Sequence, residues 1–173
     1  MSRFKNLQKQ LGFFTAVSFY RKLKSGNLSN LRTGNLVHQF NLRNNPFDYA
    51  TFEEVILNEA YNIPFGFEPK FIIDGGGNIG LTACFFASKF PAAAIITIEP
   101  DTDNYNLLQL NCKAYANIQT LQCGIWKNDT HLKIENQNRV ELNVKKKQEI
   151  EYTLLGKIKP KKGHFIWEIN EET

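Results

Sequence analysis

The segment Asp74-Gly75-Gly76-Gly77-Asn78-Ile79-Gly80 constrains this chain more than any other. It satisfies G-x-G-x-x-G through Gly75, Gly77 and Gly80, a pattern that is common by itself and informative only in context. The context is favourable. Phe71-Ile72-Ile73 just before it is a short apolar run bounded by Pro69 and the glycines, which predicts a strand buried on both faces of a parallel sheet. Residues 81–90 read as a helix that Pro91 closes. Glu99 stands nineteen positions after Gly80, at the end of the second apolar run, Ile95-Ile96-Thr97-Ile98. Such glycines let the backbone turn tightly and bring its N–H groups against a ligand, while a carboxylate closing the second strand can accept hydrogen bonds from both hydroxyls of a ribose.

The alternation continues downstream. Asp101 or Thr102 is placed to cap a helix carrying Tyr105, Leu108, Leu110, Cys112 and Tyr115, and residues 118–123 read as a third strand. Strand, helix, strand, helix, strand calls for right-handed crossovers and a doubly wound α/β sheet. Beyond Gly124, residues 132–135, 139–144 and 149–155 read as antiparallel edge strands, Lys145-Lys146-Lys147 as a solvated edge, and residues 165–170 as one more strand. Upstream, Phe4, Leu7, Leu11, Phe14 and Val17 recur at helical spacing in one helix, or two split at Gly12. That face is expected to pack on the main domain, the alternative being contact with a membrane surface or a partner. Residues 25–34 read as a loop and 36–42 as a short strand, and Asp48 as the N-cap of a helix with Glu53 and Glu54 in its first turn and Tyr49, Phe52, Val55, Ile56 and Tyr61 along it. The division expected is a helical extension, residues 1–35, and an α/β domain, residues 36–173.

Composition narrows the function classes. A chain of 173 residues, 42% hydrophobic and 13% aromatic, is that of one folded domain with a short appendage. No apolar run approaches the ~18 residues of a membrane-spanning helix. The net charge of +4 is divided between residues 3–24 and 145–162, so nucleic-acid binding is not indicated. Cys84, Cys112 and Cys123 form neither a disulfide framework nor a C-x-x-C metal site, which suggests a reducing compartment. Arg3 and Lys5 precede an apolar patch, but Gly12, Thr15 and Ser18 interrupt it, Arg21-Lys22-Leu23-Lys24 follows, and no A-x-A cleavage site is present. A cytoplasmic location is expected. His38, His131 and His164 are isolated, and there is no nucleophile elbow, Walker loop or metal-ligand pair.

The charge of Asp74 discriminates between nucleosides. A dinucleotide would lay its pyrophosphate over the loop and against the helix N-terminus, where a carboxylate directly before the first glycine repels it. S-adenosylmethionine brings an ammonium and a sulfonium, both of which a carboxylate attracts. The residues therefore favour S-adenosylmethionine over NAD.

The run Phe71 to Gly80, followed by Ile98-Glu99-Pro100-Asp101 and preceded by Leu42-Arg43, Asp48 and Phe52-Glu53-Glu54-Val55, resembles the FkbM-type S-adenosylmethionine-dependent methyltransferases over about half the chain. The resemblance implies a Rossmann-like class I methyltransferase fold and O-methylation of a small-molecule or saccharide hydroxyl. It further implies that Asp74, Gly75, Gly76, Gly77, Asn78 and Gly80 line the methionine part, Glu99 holds the ribose, and Pro100 and Asp101 flank the adenine. The family continues with a Thr-Leu-Asp stretch and a strand ending Lys-Ile-Asp-Ile-Glu-Gly; Thr153-Leu154-Leu155 and Phe165 to Glu172 stand there instead, with Glu168 at the lysine and Asn170 at the aspartate. From Phe71 the chain counts 103 residues, fewer than the family's sheet requires. A sheet incomplete at its C-terminus is thus expected, one that a partner chain or a second copy could complete. A remnant that binds the nucleoside without turnover is the alternative to an active enzyme.

Overall fold

The computed structural model describes residues 3–125 and the backbone of residues 166–167. The strands expected at 132–135, 139–144 and 149–155, the lysine run, His131 and His164 lie outside these residues. Within them stand helices α1 (Arg3–Leu11), α2 (Phe13–Ser25), α3 (Pro46–Phe52), α4 (Leu81–Lys89) and α5 (Thr102–Cys112), and strands β1 (Phe71–Gly75), β2 (Ala94–Ile98), β3 (Ile118–Leu121) and β4 (Ile166–Trp167).

The strands form one sheet in the order β3-β2-β1-β4. β1 pairs with β2 and β2 with β3 in parallel, while β4 runs antiparallel beside β1, with Asp74 opposite Ile166. Parallel neighbours joined through α4 and α5 make this an α/β, Rossmann-like arrangement. The order 3-2-1 brings the C-terminal ends of β1 and β2 side by side, Gly75 in register with Ile98. That end of the sheet carries the glycine turn and Glu99. β2 does not have both faces covered as expected, since Ile95 and Thr97 are buried while Ile96 and Ile98 are only half-buried. Along β1, in contrast, Ile72, Ile73 and Asp74 are all buried, the covering of both faces expected of that strand.

Four local expectations are corrected. Gly12 (φ 77°, ψ 164°) does split the N-terminal helix, but the break also shifts the helical phase, so Ala16 and Phe19 are buried and Phe14 is 87% exposed. Residues 36–42 are not a strand: one antiparallel bridge, Leu31 to Phe40, stands in their place. Side chains take their backbone groups instead, with the N–H of Val37 donating to Ser88 Oγ, that of His38 to Tyr115 Oη and that of Asn41 to Asn111 Oδ1. The cap of α3 is Asn45, whose side chain accepts from the Asp48 N–H at 2.8 Å, with Pro46 at the first helical position. Glu53 and Glu54 consequently lie past the helix, in a π-helical turn over Glu53–Leu57. Of the side chains expected along α5, Leu108 and Cys112 are buried and Leu110 is 54% exposed.

The core is continuous from the N-terminal helices to the sheet. Phe19, Phe40 and Phe52 stack in series, with centroids 4.5 Å apart for Phe19 and Phe52 and 5.7 Å for Phe40 and Phe52. Leu7, Phe19, Phe52, Ile72, Phe86 and Leu108 belong to one cluster of buried side chains. The three cysteines are free thiols, and Cys84 and Cys112 are buried with their sulfurs 3.9 Å apart between α4 and α5.

Candidate functional site

The glycine turn is held by the end of β2. Both the Gly76 and Gly77 N–H groups donate to the Ile98 carbonyl, at 2.9 and 2.8 Å, and the Gly80 N–H closes back on the Gly77 carbonyl at 2.7 Å. Gly76 (φ 86°) and Gly80 (φ 84°) occupy the left-handed region open to glycine. Asn78 (φ 49°) does so as well, and asparagine is among the few other residues that tolerate it. Gly77 is required for a different reason. A Cβ there would lie 2.1 Å from Thr97 Oγ1 and 2.8 Å from Leu108 Cδ1, whereas at Gly76 it would meet nothing within 4 Å. The turn is thus packed on its inner side and open at Gly76.

Glu99 does more than close the second strand. Its Oε2 accepts from the Asn78 N–H at 2.8 Å and its Oε1 from the Asp101 N–H at 2.9 Å, so the carboxylate bridges the glycine turn to the start of α5. Each oxygen has a second lone pair for another donor. Asp101 caps α5 as expected, its Oδ1 accepting from the Asn104 N–H at 2.9 Å, and Pro100 between the two acids is half-buried. Of the turn's N–H groups expected to face a ligand, those of Gly76, Gly77, Asn78 and Gly80 are taken within the protein. What the site offers is carboxylate.

Asp74 is the second such group. It stands opposite Thr97 in the β1–β2 ladder, and the Thr97 hydroxyl donates to its Oδ2 at 2.8 Å. Burial pushes its pKa up from an ordinary 3.8 to about 6, the Thr97 hydrogen bond opposes the rise, and the charge of Glu99 adds to it. Burial likewise raises Glu99 against the pull of the two backbone N–H donors. Tyr61, in the same acidic neighbourhood, is raised by burial and then by the charges of Glu54 and Asp74.

Several supporting residues were not legible in the sequence. Thr97 was read only as part of an apolar strand. Asn111, buried on α5, donates from Nδ2 to the Ile79 carbonyl of the turn at 2.8 Å and to the Asn41 carbonyl at 3.1 Å. Asn78 Nδ2 donates to Thr51 Oγ1 at 3.0 Å, tying the turn to α3. Arg43 is held by the buried Asp48 through Nε and Nη2 and donates from Nη2 to Asn104 Oδ1 at 2.7 Å. The one available signal was the polar residue inside an apolar run at Thr97.

Other features do not compete for the role. A cavity of about 500 Å³ beside α5 and β3 is lined by Gln109, Leu110, Lys113, Ile118 and Thr120 among others, none of them in the glycine turn or its acids. Among the described residues no group of three His, Cys, Asp or Glu side chains is placed to hold a metal. His38 is exposed, its ring edge-on to Tyr115.

Fold and turn together define a Rossmann-like α/β chain with a glycine turn backed by two carboxylates. Part of the chain is similar to known proteins. Over 83 residues, 46% of this chain and 33% of the other, the chain is 30% identical to Methyltransferase 1 of Beauveria bassiana (strain ARSEF 2860). Over 77 residues, 43% of this chain and 30% of the other, it is 32% identical to Methyltransferase sdnD of Sordaria araneosa. The chain therefore spans about a third of the length of these curated relatives. No family model matches it. No helix among the described residues is long and apolar enough to cross a membrane.

Proposed function

We propose that the chain holds S-adenosylmethionine at the glycine turn and transfers its methyl group to a hydroxyl of a small molecule or saccharide, as FkbM-type enzymes do. One observation carries the choice of nucleoside: the N–H groups of Gly76, Gly77, Asn78 and Gly80 are spent on Ile98, Glu99 and Gly77, while the Asp74 carboxylate stands directly before the first glycine. A pyrophosphate needs the first and is repelled by the second. A cationic amino acid joined to a ribose suits both. Asp74 would face the methionine part, where Gly76 leaves the turn open, and Glu99 would accept from the ribose hydroxyls with its remaining lone pairs. Pro100 and Asp101 would flank the adenine. When bound, the sulfonium supplies an electrophilic methyl carbon. The protein's part is to orient the nucleoside and exclude water. The free thiols fit a reducing compartment, and the cytoplasm is the proposed location.

Incubation with methyl-labelled S-adenosylmethionine and a panel of hydroxylated small molecules and saccharides should move label to an acceptor oxygen. Nucleoside binding with no transfer to any acceptor would contradict the catalytic half of the proposal and favour a binding-only chain.

Protonation gives a second expected result. Because the folded pKa of Asp74 lies above its unfolded value, this group favours folding below pH 3.8 and that contribution is lost as pH rises to about 6. The ionised side chain thus costs the empty protein about 3 kcal/mol at neutral pH. A bound cation recovers part of that cost. Affinity for S-adenosylhomocysteine, which keeps the ammonium, should be flat above pH 7 and fall by up to about tenfold per unit below pH 6. Affinity independent of pH between 5 and 8 would separate Asp74 from the ligand.

A further inference from the structure

We infer that the N-terminal helical hairpin docks on an anionic lipid surface, with the corner formed by Phe13 and Phe14 entering the headgroup boundary. α1 and α2 fold back on each other at Gly12, since Phe4 and Tyr20, eight residues to either side, meet edge to face at 5.4 Å. Phe13 and Phe14 therefore stand at the closed end of the hairpin. They are 55% and 87% exposed, and their rings lie edge to face at 5.6 Å. The core-facing side of α2 is occupied by Ala16 and Phe19, so the two rings stand outside the interior formed by the described residues.

Charge identifies what the corner meets. Residues 1–25, which form the hairpin, contain six Lys and Arg and no Asp or Glu, while the other 148 residues carry 15 Lys and Arg against 17 Asp and Glu. The positively charged segment is thus the one bearing the exposed rings. Lys9, exposed, lies one turn before the corner. Arg21, also exposed, is seven residues after Phe14 on the same helix face, about 10 Å along the axis. Long basic side chains can reach lipid phosphates while nearby rings sink below them. Binding of such a helix scales with the apolar area it buries plus its attraction to anionic lipid, and the hairpin supplies both. Nucleic acid offers the same phosphates, but bases stack on flat aromatic faces along a groove. Two rings edge to face on a convex corner do not make one.

The test is co-sedimentation of the full chain with vesicles of neutral phosphatidylcholine and with vesicles containing about one third phosphatidylserine. Binding is expected to the anionic vesicles alone and to weaken as salt is raised. The double substitution Phe13→Ser/Phe14→Ser should weaken it about tenfold without changing the unfolding temperature, because both rings are outside the core. Lys9→Glu/Arg21→Glu, with the rings intact, should abolish it. Equal binding to neutral vesicles, no effect of the serine substitutions, or capture of single-stranded RNA in place of vesicles would each overturn the inference.

Discussion

Replacing Gly77 by alanine will lower the unfolding free energy by roughly 3–5 kcal/mol and remove nucleoside binding, although the change adds one methyl group. The reason is not backbone freedom, since Gly77 is not among the glycines at positive φ. The new Cβ would lie 2.1 Å from Thr97 Oγ1, at the centre of a buried pair. Leu108 Cδ1 at 2.8 Å and Asp74 Oδ2 at 3.3 Å block escape on the other sides. If Thr97 rotates away, Asp74 loses its hydrogen bond inside a nearly dry site, which costs further. Gly76→Ala supplies the contrast: it strains a left-handed residue but meets nothing within 4 Å, so its cost should be about 1–2 kcal/mol. Urea unfolding of the two variants beside the parent distinguishes them. Equal losses would mean that Gly77 is not wedged against Thr97.

Glu99→Ala should weaken binding of S-adenosylhomocysteine about 100-fold, as two charge-assisted hydrogen bonds to ribose hydroxyls are together worth roughly 3 kcal/mol. The same substitution strips the Asn78 and Asp101 N–H groups of their acceptor, so the turn loses its strap to α5. Glu99→Gln separates these effects, because its amide keeps one oxygen for a backbone donor and loses the charge; its affinity should fall between the other two. Calorimetric titration beside thermal unfolding reads both quantities. An unchanged dissociation constant in a folded Glu99→Ala variant would remove Glu99 from the site.

The glycine turn, the first three strands, the break at Gly12 and the Asp101 cap were legible because each is decided within a few residues by backbone chemistry. The acidic partnership was legible only in part. Spacing placed Glu99 at the right strand end, but that its oxygens take the N–H groups of Asn78 and Asp101 depends on how β1 and β2 lie together. Thr97 had the same difficulty: its role follows from standing in register with Asp74. Arg43, Asp48 and Asn104 meet across 61 residues of chain, a separation that no local pattern bridges. Residues 36–42 misled for a related reason. Their buried Leu36, Phe40 and Leu42 imitate strand alternation, while Ser88, Asn111 and Tyr115 supply the partners a neighbouring strand would have given.

The proposal rests on Asp74, beside a turn whose Gly76, Gly77, Asn78 and Gly80 N–H groups are already spent, selecting a cationic nucleoside over a pyrophosphate. Calorimetric titration of the full chain at neutral pH with S-adenosylhomocysteine and, separately, with NADH tests it most directly. The structure predicts saturable binding of S-adenosylhomocysteine and no binding of NADH. Binding of NADH without S-adenosylhomocysteine would contradict the claim.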